Sequence, residues 1–274
     1  MHEECPIDTF IHLGLEWPRR IETLMALKEP QMRQAIELLE RRTQFTSEPR
    51  ECVESAQFVS DGGDFCSIRF DVTPLDGLTT VKDAFEFVHF YIRHMKSRAA
   101  SESLTKLASS DRANEDASIL QRRLIMSSID DIATEANFVM FSEMRPSSRG
   151  HCAKKRNVSP ASDIGLLVIN FVDEDDLYPY NPSQFIQHDL TGVMAIESCK
   201  KRVKTASGAV KEETVIVLTR WVLQKLRHTE LKSPSHVMQT MRDRINEPGN
   251  AILQAVKEAR HPFHLEPGAL SLVW

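Results

Sequence analysis

A run of β-branched residues followed by an amphipathic helix pattern, over residues 213–260, constrains this chain more than any other stretch. Residues 213–226 read ETVIVLTRWVLQKL. Thr214, Val215, Ile216 and Val217, with Trp221 and Val222 beyond, are strand chemistry. Fully extended, the run covers about 45 Å. Ser233-Pro234-Ser235 then supplies a hydroxyl cap and a proline suited to the first helical turn. Val237, Met238, Met241, Ile245, Ile252, Leu253 and Val256 recur at helical spacing, so one stripe of that helix is apolar. The pattern predicts a helix over 235–260, about 39 Å long if unbroken. Pro248-Gly249 interrupts it and reads as a break between two helical pieces. A long last strand followed by such a helix implies a helix laid across a sheet.

The chain before it supplies the sheet. Strand-like segments are expected at 52–59, 65–72, 104–109, 118–129, 132–144, 165–172 and 189–199. Asp61-Gly62-Gly63 marks a hairpin between the first two. Cys66, Ile68, Phe70 and Val72 alternate with Ser67, Arg69 and Asp71, giving one wetter face. After a turn at Pro74-Leu75-Asp76-Gly77, Thr79 or Thr80 caps a helix carrying Val81, Ala84, Phe85, Val88 and Ile92. Residues 17–42 form a helical arm, with Ile21, Leu24, Met25 and Leu27 in one apolar group and Met32, Ala35, Ile36 and Leu39 in another. Pro30 between them is expected to kink or split it. Unbroken heptads are missing, so the arm packs on the domain and is not a coiled coil. Consecutive strands with helices towards both ends of the chain predict an α+β fold, a curved antiparallel sheet with a long C-terminal helix packed across it. Seven strands span about 30 Å, which the helix can cross diagonally. The domain reading is 1–45 as N-terminal helical arm, 46–260 as the sheet domain and 261–274 as a C-terminal tail.

Composition removes several function classes. A net charge of −5 gives no global attraction to nucleic acid or anionic membranes, so no direct nucleic-acid binding is expected. No run approaches the roughly 20 apolar residues of a transmembrane segment. The first ten residues lack a basic segment followed by an apolar core, so no secretory leader is expected. Cys5, Cys52, Cys66, Cys152 and Cys199 have no paired spacing, which fits a reducing compartment and speaks against structural zinc. The expected location is the cytoplasm, with the nucleus as the alternative. His89 and His94, five apart, do not share a helix face. Asp173 to Asp176 lacks the glycine and terminal glutamate of an EF-hand and reads as a solvated turn. Basic loops at 146–162 and 200–211 read as solvated connections. Phosphate-loop, zinc-protease and serine-elbow motifs are absent, so no catalytic residue, metal or cofactor is assigned.

Arg220 is the exception to ordinary patterning. It shares a row with Ile216, Leu218 and Val222, and a guanidinium in an apolar row is costly without a partner. Either it pairs with a carboxylate inside the domain, with Glu135 and Glu143 as candidates, or it holds a polar group of a ligand. Trp221 lies on the opposite row with Val215, Val217 and Leu223. Both rows are largely apolar, so both faces should be covered, one of them by the N-terminal helix.

Phe70 to Gly77 (FDVTPLDG), Val172 to Tyr180 (VDEDDLYPY) and Leu218 to Trp221 (LTRW) resemble the START-like, helix-grip domains common in oomycete proteins. Relatives include mating-specific proteins and proteins with a basic leucine zipper, which this chain lacks. The resemblance covers roughly residues 43–260. It implies a START-like helix-grip fold enclosing a cavity between sheet and last helix, which suits a lipid or other apolar small molecule. On that reading Arg220, Met238, Met241, Ile245, Phe138 and Met194 bind the ligand, and the chain is not an enzyme. The alternatives are a protein-interaction or regulatory module with a filled cavity, and a cyclase-type enzyme on the same fold. Protein partners are not specified by the sequence.

Overall fold

The computed structural model describes residues 7, 9–44, 50–75, 77–94, 118–127, 132–146, 163–204 and 210–258. A short strand β1 (His12–Leu13) leads into helix α1 (Trp17–Thr43). Strands β2 (Cys52–Val59) and β3 (Phe65–Leu75) form a hairpin, followed by helix α2 (Val81–His94). Then come β4 (Ile119–Ser127), β5 (Ala133–Pro146), β6 (Asp163–Phe171), the two-residue β7 (Glu174–Asp175), β8 (Phe185–Lys204) and β9 (Val210–Leu226). Helices α3 (Ser235–Arg244) and α4 (Glu247–Glu258) close the described chain. Seven strands make one sheet in the order β2-β3-β9-β8-β6-β5-β4, while β1 and β7 pair separately. Every pairing in the large sheet is antiparallel except a short parallel contact between the starts of β5 and β8. The architecture is α+β and helix-grip-like: an antiparallel sheet with a C-terminal helical segment against one face. Residues 104–109, expected as a strand, lie outside the described residues.

Each sheet face has its own apolar core. On the first, Phe70, Val139, Phe141, Val168, Val193, Val217 and Trp221 join Leu24, Met32, Ala35, Leu38 and Leu39 of α1. These helix positions recur at three and four residues, which puts them on one stripe facing the sheet. The expected break at Pro30 does not occur; α1 runs through it. Proline there removes a helical donor, at about 3 kcal/mol. Leu24 before it and Met32 and Ala35 after it are all fully buried on the same face, and that packing outweighs the local cost. Of the first expected apolar group only Leu24 is fully buried, whereas Ile21 and Met25 face outward.

On the second face, Phe138, Met140, Leu167, Met194, Ile196, Ile216 and Leu218 pack with Val88, Tyr91 and Ile92 of α2 and Ile252, Leu253 and Val256 of α4. Thr80 caps α2, its Oγ1 accepting from Asp83 N at 3.0 Å. At the other end the buried Arg122 donates to the Ile92 carbonyl at 2.5 Å, where the helix dipole is negative. Burial lowers the Arg122 pKa to about 10. Gly165 lets α2 come close, because a Cβ there would lie 2.7 Å from Phe85 Cδ2.

The helical stretch expected over 235–260 is two pieces, α3 and α4, but the break falls at 245–246 and not at Pro248-Gly249. Pro248 falls in the first turn of α4, where its missing N–H costs nothing. Of the stretch 200–211, expected as a basic loop, residues 200–204 and 210–211 are strand. Lys200, Lys201 and Arg202 pair across from Thr214, Glu213 and Glu212. Opposite charges facing each other on a two-sided, solvent-exposed ribbon give it a cross-strand reason to extend.

His188 sits buried on β8, and burial pushes its pKa down to about 4, against a hydrogen bond with Gln224 that raises it. The unfolded value is near 6.5. Stability from the neutral ring is therefore complete above about pH 6.5 and falls by about 3 kcal/mol as the pH approaches 4. Urea unfolding between pH 7 and 4 should show this loss, and His188→Leu should remove most of the slope. A variant with the wild-type slope would place the proton uptake elsewhere.

Candidate functional site

Arg220 faces α4, on the second sheet face. Its partner is Asp71, directly opposite on β3, and not Glu135 or Glu143. Nε and Nη2 of Arg220 donate to Asp71 Oδ2 at 3.1 and 2.8 Å, and Nη1 donates to the Gly249 carbonyl at 2.5 Å. Burial pushes the Arg220 pKa down while Asp71 lifts it. Arg69 Nε adds a third contact to Asp71 Oδ2 at 3.1 Å. A Cβ at Gly249 would lie 2.6 Å from Arg220 Nη1, so a larger residue there would have to shift the guanidinium. Asn246 completes the junction by bonding Ser67 and Gln224 at the α3–α4 break.

The other expected ligand residues divide. Phe138 and Met194 are buried in the cluster beneath α2 and α4. Met238 and Met241 are half-buried on α3, and Ile245 is buried at its end, all three outside that cluster. The cover over Phe138 and Met194 thus comes from α2 as much as from α4. Glu143 instead meets Lys28 and Arg145.

The structure opens a cleft of about 470 Å³ on the first sheet face, away from the α4 junction. Strand β6 stops at Phe171, so β5 and β8 approach each other beyond it, with Glu135 opposite Gln187. Glu135 and Asn137 from β5, and Gln187 and Asp189 from β8, line it together with Asp173 to Asp176 and Tyr178 to Tyr180. The acidic run is therefore not a solvated turn throughout. Asp175 is buried and belongs to β7, while Glu174 and Asp176 are exposed.

A dense polar network holds this wall. Arg20, fully buried on α1, donates from Nη1 and Nη2 to the two Asp175 oxygens at 2.8 and 2.9 Å. It also reaches Gln121 and the carbonyls of Leu13 and Gly14. Gln121, Asn137 and the amides of Leu177 and Tyr178 donate to Asp175 as well. Burial pushes the Asp175 carboxyl up, but these donors outweigh it and hold it below its ordinary value. Deeper in, Arg123 takes Glu135 Oε1 at 2.6 Å, and Arg227 takes Asp189 Oδ2 at 2.6 Å. Burial keeps the Asp189 carboxyl above the usual range in spite of Arg227. At the rim His12 meets Asp176 at 3.0 Å, and that hydrogen bond raises the imidazole pKa.

Sequence reasoning missed this cleft. Asp175 and Arg20 lie 155 residues apart, and the floor comes from two strands that pair only where a third ends. The available signal was an acidic run interrupted by no turn glycine and followed by two tyrosines.

No protein-family model matches the sequence, and no curated protein matches it. Among solved structures, the crystal structure of human STARD10 is similar over 83% of this chain and 79% of that chain, at 6% identity and a TM-score of 0.38. Among the described residues, no helix is long and apolar enough to cross a membrane.

Proposed function

We propose that this chain is a non-enzymatic interaction module whose helix-grip-like interior is filled by its own side chains. One observation carries the reading: Phe138, Met140, Met194 and Leu218 are buried in a single cluster with Val88, Ile252, Leu253 and Val256. Where a ligand-binding relative of this architecture would hold an apolar molecule, these side chains meet each other. The charged groups against α4 support the same view, since Arg220 and Asp71 are bonded to one another and not presented to a substrate. Cyclase-type catalysis would need an acid or base presented to a ligand there, and the buried Asp71 is instead held by Arg220 and Arg69. The free thiols of Cys52 and Cys66 fit a cytoplasmic setting.

A second reading keeps a lipid or other apolar small molecule in the interior. Its support is the separation of α4 from α3 at 245–246, which allows α4 to lift as a unit once the Arg220 bond to Gly249 is released. Phe138 and Met194 would then line the opened space, with Arg220 holding the ligand's polar group and Met238, Met241 and Ile245 near the mouth. Native mass spectrometry of protein purified from a eukaryotic host separates the two. A filled interior predicts the bare chain mass. A stoichiometric co-purifying lipid, displaced by Phe138→Trp, would replace the first reading with the second.

A further inference from the structure

We propose that the cleft between β5, β8 and the 172–180 segment is a binding site for an organic cation bearing N–H donors, a guanidinium or primary ammonium group. The proposal goes beyond the filled-interior reading and does not depend on it.

Its basis is an acceptor left open in a buried place. Glu135 is 3% exposed and lines the cleft; Arg123 occupies its Oε1, while its Oε2 has no hydrogen-bond partner among the described residues. A buried carboxylate oxygen without a donor costs free energy that a ligand donor would recover. Beside it, Asn137 Oδ1 is likewise unpartnered. Its amide orientation is set by Nδ2, which donates to Asp175 at 2.9 Å, so the open atom is an acceptor. The unmet groups in this floor therefore ask for donors.

Charge agrees with hydrogen bonding. Six acidic side chains, Asp173, Glu174, Asp175, Asp176, Glu135 and Asp189, line the cleft, against the arginines Arg20, Arg123 and Arg227 that hold its wall and His12 at the rim. The excess negative potential selects a cation. Size and donor set decide which kind. About 470 Å³ suits a small molecule or an inserted side chain, far more than a bare ion. Among the described residues no three His, Cys, Asp or Glu side chains converge as a metal site. The Arg123 guanidinium already lies over the Tyr178 ring at 5.9 Å, so this wall accommodates a cation against an aromatic face, and Tyr180 lines it beside Tyr178.

The test is an NMR titration of the whole chain with three probes: agmatine, a blocked five-residue peptide with one central arginine, and tetramethylammonium. Agmatine or the peptide should give saturable shifts centred on the amides of Glu135, Asn137 and Gln187. The stronger of the two tells whether the natural cation is a free amine or a protein side chain. Glu135→Gln should weaken the binding about tenfold or more, since a charged hydrogen bond is lost. Absence of saturable shifts with both donors would overturn the proposal, as would unchanged affinity in Glu135→Gln. Equal binding of tetramethylammonium, which has no N–H, would do the same. If Glu135→Gln fails to fold, the wild-type map decides, and shifts centred outside the cleft count against it.

Discussion

Replacing Arg20 with alanine is expected to destabilise the fold by about 3–5 kcal/mol, because it strands Asp175. Both side chains are almost wholly removed from water, at 0% and 2% exposure. The remaining donors to Asp175 are neutral amides, which solvate a carboxylate but do not compensate its charge. The substitution also frees the carbonyls of Leu13 and Gly14, so β1 and the cleft wall should loosen first. The effect carries a pH signature. In the wild type the Asp175 pKa is depressed, so its contribution is present above about pH 4 and is lost as the pH falls through the folded value. In the variant, burial acts with no guanidinium against it and the carboxyl pKa rises. A raised acid pKa makes its penalty greatest at neutral pH and smallest once the carboxyl is protonated. The stability gap between wild type and variant should therefore begin to narrow above about pH 4, where the variant's carboxyl takes up its proton, and keep narrowing as the pH falls further. Urea unfolding at pH 7 and pH 3.5 measures both numbers. A deficit under about 1 kcal/mol at pH 7, or one that widens in acid, would remove the Arg20–Asp175 pair from its central place.

The large features of this fold were legible because they repeat. Strand β2 was read to the residue, and α2 and its threonine cap followed from periodicity and a hydroxyl at the right offset. The two apolar rows of β9 correctly implied cover on both faces, but only the structure shows that α1 takes the Trp221 side. The misreadings share a physical cause, which is that tertiary partners overrule local preference. Pro30 survives inside α1 because the sheet holds the helix on both sides of it. Lys200 to Arg202 look like loop residues until Glu212 and Glu213 face them. Asp175 looks solvated until Arg20 arrives from the other end of the chain. The cleft was least legible, because it exists only where β6 ends and four separate segments meet. Arg220 lies between these cases: one residue in an apolar row announced a buried partner, but only register names Asp71.

Arg220→Met should cost about 3–5 kcal/mol, towards the lower end, since Asp71 keeps Arg69 as a neighbour. Asp71 is completely buried and its Oδ1 has no partner even in the wild type, so it has little reserve when the larger guanidinium leaves. The loss also cuts the bond to the Gly249 carbonyl, and α4 should exchange amide hydrogens faster than α2 in the variant. A double substitution separates the value of the pair from the cost of breaking it. Asp71→Leu with Arg220→Met removes both charges while keeping apolar volume, and such replacements are often neutral or stabilising. The double variant should recover most of the stability lost by the single one. Its remaining deficit then reports what Arg220 contributes by tying α4 to the sheet through Gly249. If single and double variants are equally destabilised, the guanidinium matters for its packing and its carbonyl bond, and the ion pair contributes little. If neither variant changes α4 exchange, the Gly249 bond does not hold that helix down, and the lifting motion required by an apolar ligand loses its latch.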